Sequence, residues 1–233
     1  MTKRIFGAFT TWLASVRAAV LRFFKRSGGK SIDIHAVSAA KPLWVRLSND
    51  LVDELRIIAD AEFESVADKP KSQQVQFIEQ ALSHSRNLLV RIADDVQQHL
   101  QKLITQAVDA GKTPAEIESI IESYLDATGS ENWQNRARTI AITEVNRMAN
   151  AGTQAAGMAI SDMESVRLNK KWVTRHDTKV RLDHKVTDGQ VVPLHSNFDV
   201  NGTPMLYPLD PAAPAEQVVN CRCSMKILDT GRN

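Results

Sequence analysis

The sequence predicts an α+β protein, with a mostly helical N-terminal body and a small α+β C-terminal unit. From about Trp44 to Ser161 the apolar residues recur three and four apart, the period of a one-faced helix. From Lys170 onward short β-prone runs alternate with the turn signals Asp188-Gly189, Asn201-Gly202 and Asp210-Pro211. Five of the eight prolines (Pro193, Pro204, Pro208, Pro211 and Pro214) also fall in this last part, which excludes long helices there. At 233 residues, 43% hydrophobic and 24% charged, the chain can bury a core and is neither disordered nor fibrous.

Taken in order, residues 1–30 form a basic amphipathic N-terminal arm. Ile5, Phe9, Trp12, Leu13, Val16, Val20, Phe23 and Phe24 keep a helical spacing, and Ser27-Gly28-Gly29 ends the run. Seven bases and no acid give this segment a charge of +7. The arm either packs on its own body, or docks in an apolar groove of a partner, or lies on a membrane surface. Phe9, Trp12, Arg17, Arg22 and Phe23 are its candidate partner-binding residues. Arg17 and Arg22 interrupt the apolar stretch and Lys25-Arg26 follows it, so neither a transmembrane helix nor a signal peptide is expected.

Residues 31–165 form the helical body, which is acidic: residues 31–166 carry 12 bases against 20 acids. The first helix carries Leu51, Val52, Leu55, Ile58, Ala59, Phe63 and Val66 and ends at Lys69-Pro70. The next runs from about Ser72 to Ala110, with a break expected near Ser83–Ser85. In Thr113-Pro114-Ala115-Glu116, Thr113 is an N-cap, Pro114 takes the first helical position and Glu116 closes a capping box. A helix from about Glu131 to Ile160 completes the body. Residues 166–233 form the α+β unit, with strands expected at Lys171–Arg175, Gln190–Leu194, Met205–Tyr207 and Ser224–Leu228. Residues 167–233 carry 10 bases against 7 acids, so the two ends can meet polyanions and the middle repels them.

Three constellations can carry chemistry. On the last long helix, Glu144 either makes a surface pair with Arg147 or is buried against an arginine of the C-terminal unit. His176, Asp177 and His184 read either as a structural polar network or as the cluster of a metal-dependent nuclease or other hydrolase. No HExxH, GxSxG or P-loop supports the second reading. Cys221 and Cys223, one residue apart, exclude a disulfide scaffold and are either buried thiols or metal ligands. In extended chain they face the same side, so zinc on His184, Cys221 and Cys223 is a candidate, with His195 as a further ligand.

These residues carry a resemblance. Arg138-Thr139-Ile140-Ala141, Thr143-Glu144, Trp172, Thr174, Asp177, Arg181, His184, Asp188-Gly189, Pro208, Asp210-Pro211 and Asn220-Cys221-Arg222-Cys223 follow one another as in the Mu F-like minor head proteins of tailed phages. The likeness spans about Arg136 to Ile227. Many members carry His-Pro before the Asn-Cys-Arg-Cys, where this chain has Val218-Val219, which weakens the zinc reading. The resemblance implies a non-enzymatic head morphogenesis protein of a phage or prophage. Such a protein is present in few copies and bound to the portal protein inside the capsid. It contacts DNA non-specifically, takes part in packaging or ejection, and occupies the host cytoplasm during assembly. Glu144, Asp177, Arg181 and His184 are expected to form a structural network that closes the C-terminal unit.

Overall fold

The structure, a computed structural model, describes residues 41–67, 76–128 and 131–229, together with residues 11, 14 and 18. The arm residues Phe9, Trp12, Arg17, Arg22 and Phe23 lie outside the described residues. The chain is α+β as expected. Among the described residues four long helices come first: α1 (Lys41–Val66), α2 (Gln76–Asp109), α3 (Pro114–Thr128) and α4 (Glu131–Glu164). There follow β1 (Leu168–Val173), α5 (Leu182–Thr187), β2 (Val191–Pro193), β3 (Phe198–Val200), β4 (Thr203–Met205), α6 (Ala215–Val218) and β5 (Ser224–Asp229). None of the described helices is long and apolar enough to cross a membrane.

The chain divides into two compact units, one of Met1–Leu51 with Arg86–Arg138, the other of Val52–Ser85 with Thr139–Asn233. The C-terminal segment therefore shares a compact unit with helical residues of the body, and one division between the units falls inside α4.

In the first unit, Leu100, Ile104 and Ala107 of α2 and Ile117 and Ile121 of α3 are buried, and His99 stacks on Tyr124 with ring centroids 5.3 Å apart. The capping box of α3 is formed. Thr113 N–H donates to Glu116 Oε2 at 2.8 Å, and Glu116 N–H reaches back to Thr113 Oγ1 at 3.4 Å. The Thr113 backbone N–H, with help from Lys112, holds the exposed Glu116 carboxyl down at about 2.

In the second unit, α1 buries Val52, Leu55, Ala59 and Phe63, and α2 buries Ile78, Ala81 and Leu82. The expected break at Ser83–Ser85 is absent, because α2 runs through it. Ser85 is fully buried, and its hydroxyl donates to the Glu144 carboxylate, a tertiary contact that outweighs its weak helix preference. Residues 151–159 of α4 are all buried. Small residues make this possible. A Cβ on Gly152 would stand 2.3 Å from the Ala59 carbonyl oxygen, and one on Gly157 would stand 2.8 Å from Ile227.

The strands form a three-stranded antiparallel sheet in the order β2-β1-β5 and a separate β3-β4 hairpin. Trp172 pairs with Met225 across β1 and β5, and Lys170 faces Val192 on one side and Ile227 on the other. The hairpin turns at Asn201-Gly202, both at positive φ (52° and 80°), the signature of the tight turn that suits a twisted pair. Met158, Leu168 and Leu194 form a core with Phe77, Ile160, Val166 and Ile227 against it.

Candidate metal centre

The geometry starts from α4. Thr143, Arg147, Asn150 and Gln154 are spaced four, three and four residues apart, so they line one face of the helix. All four are buried, and each binds backbone of the C-terminal segment. Thr143 Oγ1 accepts the Asn220 N–H at 2.9 Å. Arg147 Nε donates to the Leu209 carbonyl at 3.0 Å. Asn150 Nδ2 donates to the Cys223 carbonyl and its Oδ1 accepts the Met225 N–H, both at 3.1 Å. Gln154 Nε2 donates to the Leu194 carbonyl at 3.2 Å. This polar row gives irregular buried backbone the partners it requires, and it fixes the chain on both sides of the two cysteines.

Glu144 is 1% exposed and pairs with Arg147, whose Nη1 lies 2.6 Å from Oε1. The sequence offered a surface pair with Arg147 or a buried pair with an arginine of the C-terminal segment. The structure has the first partner and the second environment. The link to the C-terminal segment is Arg147 itself, through Leu209.

From Cys221 to Met225 the residues alternate, with 221, 223 and 225 buried and 222 and 224 less so, so both sulfurs point inward. Asn220 stands just before them at φ 59°, a left-handed conformation that asparagine tolerates. His184, on α5, is buried beneath them, with Nδ1 at 3.4 Å from Cys223 Sγ and 3.6 Å from Cys221 Sγ. Its Nε2 meets Gln217 Oε1 at 2.9 Å, and Gln217 Nε2 donates to Asp183 Oδ2 at 3.1 Å. A carboxylate only accepts, so Asp183 fixes the orientation of the amide. The amide oxygen then accepts a hydrogen bond from His184 Nε2–H, the tautomer that leaves a lone pair on Nδ1, facing the sulfurs. The Trp172 ring stands edge-on to His184, centroids 5.5 Å apart, and is fully buried. Cys221 is drawn down to about 5, first by the Cys223 thiol and, against burial, by His184, while Cys221 and burial push Cys223 up.

His184, Cys221 and Cys223 are thus brought together, and among the described residues they are the one His/Cys/Asp/Glu group placed to hold a metal. His195 is exposed and is not part of it. The structure gives the remaining candidates separate partners. Asp177 takes both Nη atoms of Arg222 at 2.7 and 2.8 Å, which lowers its pKa. Arg181 donates to the Val219 carbonyl. His176 is largely exposed, 3.5 Å from Asp188. His176, Asp177 and His184 do not gather into one ligand set.

Sequence reasoning missed Gln217, Asp183 and the polar row on α4. The row was visible as Thr143, Arg147, Asn150 and Gln154 at helical spacing amid alanines, a stripe of hydrogen-bonding residues where an apolar one is usual.

Residues 98–226, more than half the chain, match the family described as Phage Mu protein F like protein. The chain belongs to the phage Mu protein F-like family. Membership places it among bacteriophage head morphogenesis proteins, components of the virion. The matched region begins well before Arg136, so it takes in helical sequence along with the metal-ligand candidates. No curated protein and no solved structure matches the chain at a significant level.

Lys170 of this Mu F-like chain is a further buried group. Its Nζ donates to the Leu206 carbonyl at 2.6 Å and to Gln154 Oε1 at 3.2 Å and lies 5.3 Å from the centre of the Phe198 ring. Burial lowers its pKa to about 7 from 10.5. A depressed value means that the folded state disfavours the proton. The contribution of this group is complete above about pH 10.5 and is lost as pH falls through about 7. Under reducing conditions the urea midpoint should therefore rise from pH 7 to 10 more steeply in the natural protein than in Lys170→Met. Equal slopes would refute the assignment.

Proposed function

We propose that this Mu F-like chain is a minor head protein that docks on the portal inside the procapsid and contacts packaged DNA, after a soluble phase in the host cytoplasm. The observation that carries the reading is the family match over 98–226. The charge pattern supports it: +7 over residues 1–30, with apolar residues at helical spacing, suits docking of the arm on a partner protein. DNA contact falls to the arm and to the bases of residues 167–233, since the acidic middle of the chain repels a polyanion.

Co-purification with the portal protein of the same genome tests the first part. Deleting residues 1–28 should leave the far-ultraviolet circular dichroism of the body intact and abolish association. Association at full strength after the deletion would remove the arm from the reading. Liposome flotation of the same pair distinguishes a membrane-binding arm from a portal-binding one. DNA binding should be independent of sequence and weaken steeply with salt. A strong preference for one sequence at physiological salt would contradict it.

A further inference from the structure

We propose that His184 Nδ1, Cys221 Sγ and Cys223 Sγ hold a zinc ion, with a water molecule as the fourth ligand. The argument rests first on distance. A tetrahedral zinc with Zn–S of about 2.3 Å and Zn–N of about 2.0 Å sets S···N edges of about 3.5 Å. The two edges here are 3.4 and 3.6 Å. All the ligand atoms fall within 4.8 Å of one another, and the residues are 1%, 2% and 3% exposed.

The surroundings are arranged for a metal-bound imidazole. Gln217 Oε1, oriented by Asp183, accepts from His184 Nε2–H and leaves the Nδ1 lone pair free to ligate a metal beside the sulfurs. A ligating histidine whose other nitrogen is tied to an amide or carboxylate chain in this way is the usual outer sphere of a zinc site. Two thiols cannot both use the single Nδ1 lone pair, whereas one ion between three donors satisfies all of them. A divalent cation with two thiolates is also neutral overall, which burial requires. The Cys221 sulfur also accepts from the Cys223 N–H, at 3.4 Å.

The donor set of one imidazole and two sulfurs selects zinc over magnesium or calcium, which take oxygen ligands. The protein supplies three ligands. The three ligand residues also line a cavity of about 10 Å³ with Asn220 and the basic residues Arg175, Lys179, Arg181 and Arg222, room for roughly one water. Val218-Val219 place no fourth donor before Asn220, so the site is built from three residues and solvent.

The test uses the full chain, purified without chelator and analysed for metal, then stripped and titrated with cobalt(II). Near one zinc per chain is expected, with a cobalt–thiolate charge-transfer band in the near ultraviolet and the intense visible bands of a tetrahedral site. Cys223→Ser should lose the charge transfer from one thiolate. Gln217→Ala touches no metal, and it should keep the spectrum while weakening zinc about 10–100-fold in competition with a chelator. If Cys223→Ser does not fold, the natural chain and Gln217→Ala still decide. A folded natural chain that takes up no stoichiometric zinc and gives no cobalt–thiolate band overturns the proposal. So does a Gln217→Ala affinity equal to that of the natural chain.

Discussion

Arg147→Ala should destabilise the second unit by about 3–5 kcal/mol, read from urea unfolding followed by circular dichroism. Arg147 is 1% exposed and neutralises Glu144, which is equally buried. Truncation leaves the carboxylate with the Ser85 hydroxyl and no cation, and it leaves the Leu209 carbonyl without its donor. The charge, more than the lost packing, sets the size of the effect. Adding Glu144→Gln to Arg147→Ala should therefore recover a large part of the loss, because no charge then stays buried. The exposed pair Arg56–Glu79, 2.7 Å long, supplies the contrast: Arg56→Ala should cost under about 1 kcal/mol. An Arg147→Ala cost as small as that of Arg56→Ala would show that the Glu144 carboxylate is not carried as a buried charge.

Trp172→Ala should cost a further large amount, about 3–5 kcal/mol. The ring is fully buried and meets two others edge-on, His184 at 5.5 Å and Phe198 at 5.2 Å. It fills the space between the three-stranded sheet, the hairpin and α5, so its removal leaves a void beside the cysteine–histidine cluster. Trp172→Phe keeps the edge-on contacts at smaller volume and should cost distinctly less. A Trp172→Ala protein that melts within a degree or two of the natural one would mean that this part of the core is held by something other than the indole.

The helices of the body were legible because an amphipathic helix writes its period into the chain, as Val52, Leu55, Ala59 and Phe63 do. The capping box was legible because it is local, three residues from Thr113 to Glu116. The convergence of Cys221 and Cys223 followed from the two-residue period of extended chain, and His184 was picked as their companion. Other features depend on residues far apart in sequence. Ser85 looked like a break because its partner Glu144 lies 59 residues away. The role of Gln217 depends on His184 and Asp183, more than thirty residues earlier. The strand Phe198–Val200 is only three residues long, too short for alternation to declare itself. The turn signals and prolines after Lys170 are local and so legible, whereas the grouping of α4 from Thr139 onward with the sheets depends on contacts between distant residues.

Residues 151–159 of α4, buried without exception, also determine how the unit opens. With no side chain at Gly152 and Gly157 to lever the neighbours apart, and with Asn150 and Gln154 bonded to distant backbone, this stretch cannot fray locally. Its amide protons should therefore fall in the slowest-exchanging class, opening with the unit as a whole. Deuterium uptake by a single peptide from 151–159 then reports the global opening free energy of the unit. The exposed loop around Arg175 and His176 would exchange orders of magnitude sooner, and any rearrangement during head assembly that leaves the 151–159 peptide protected must be confined to such peripheral segments.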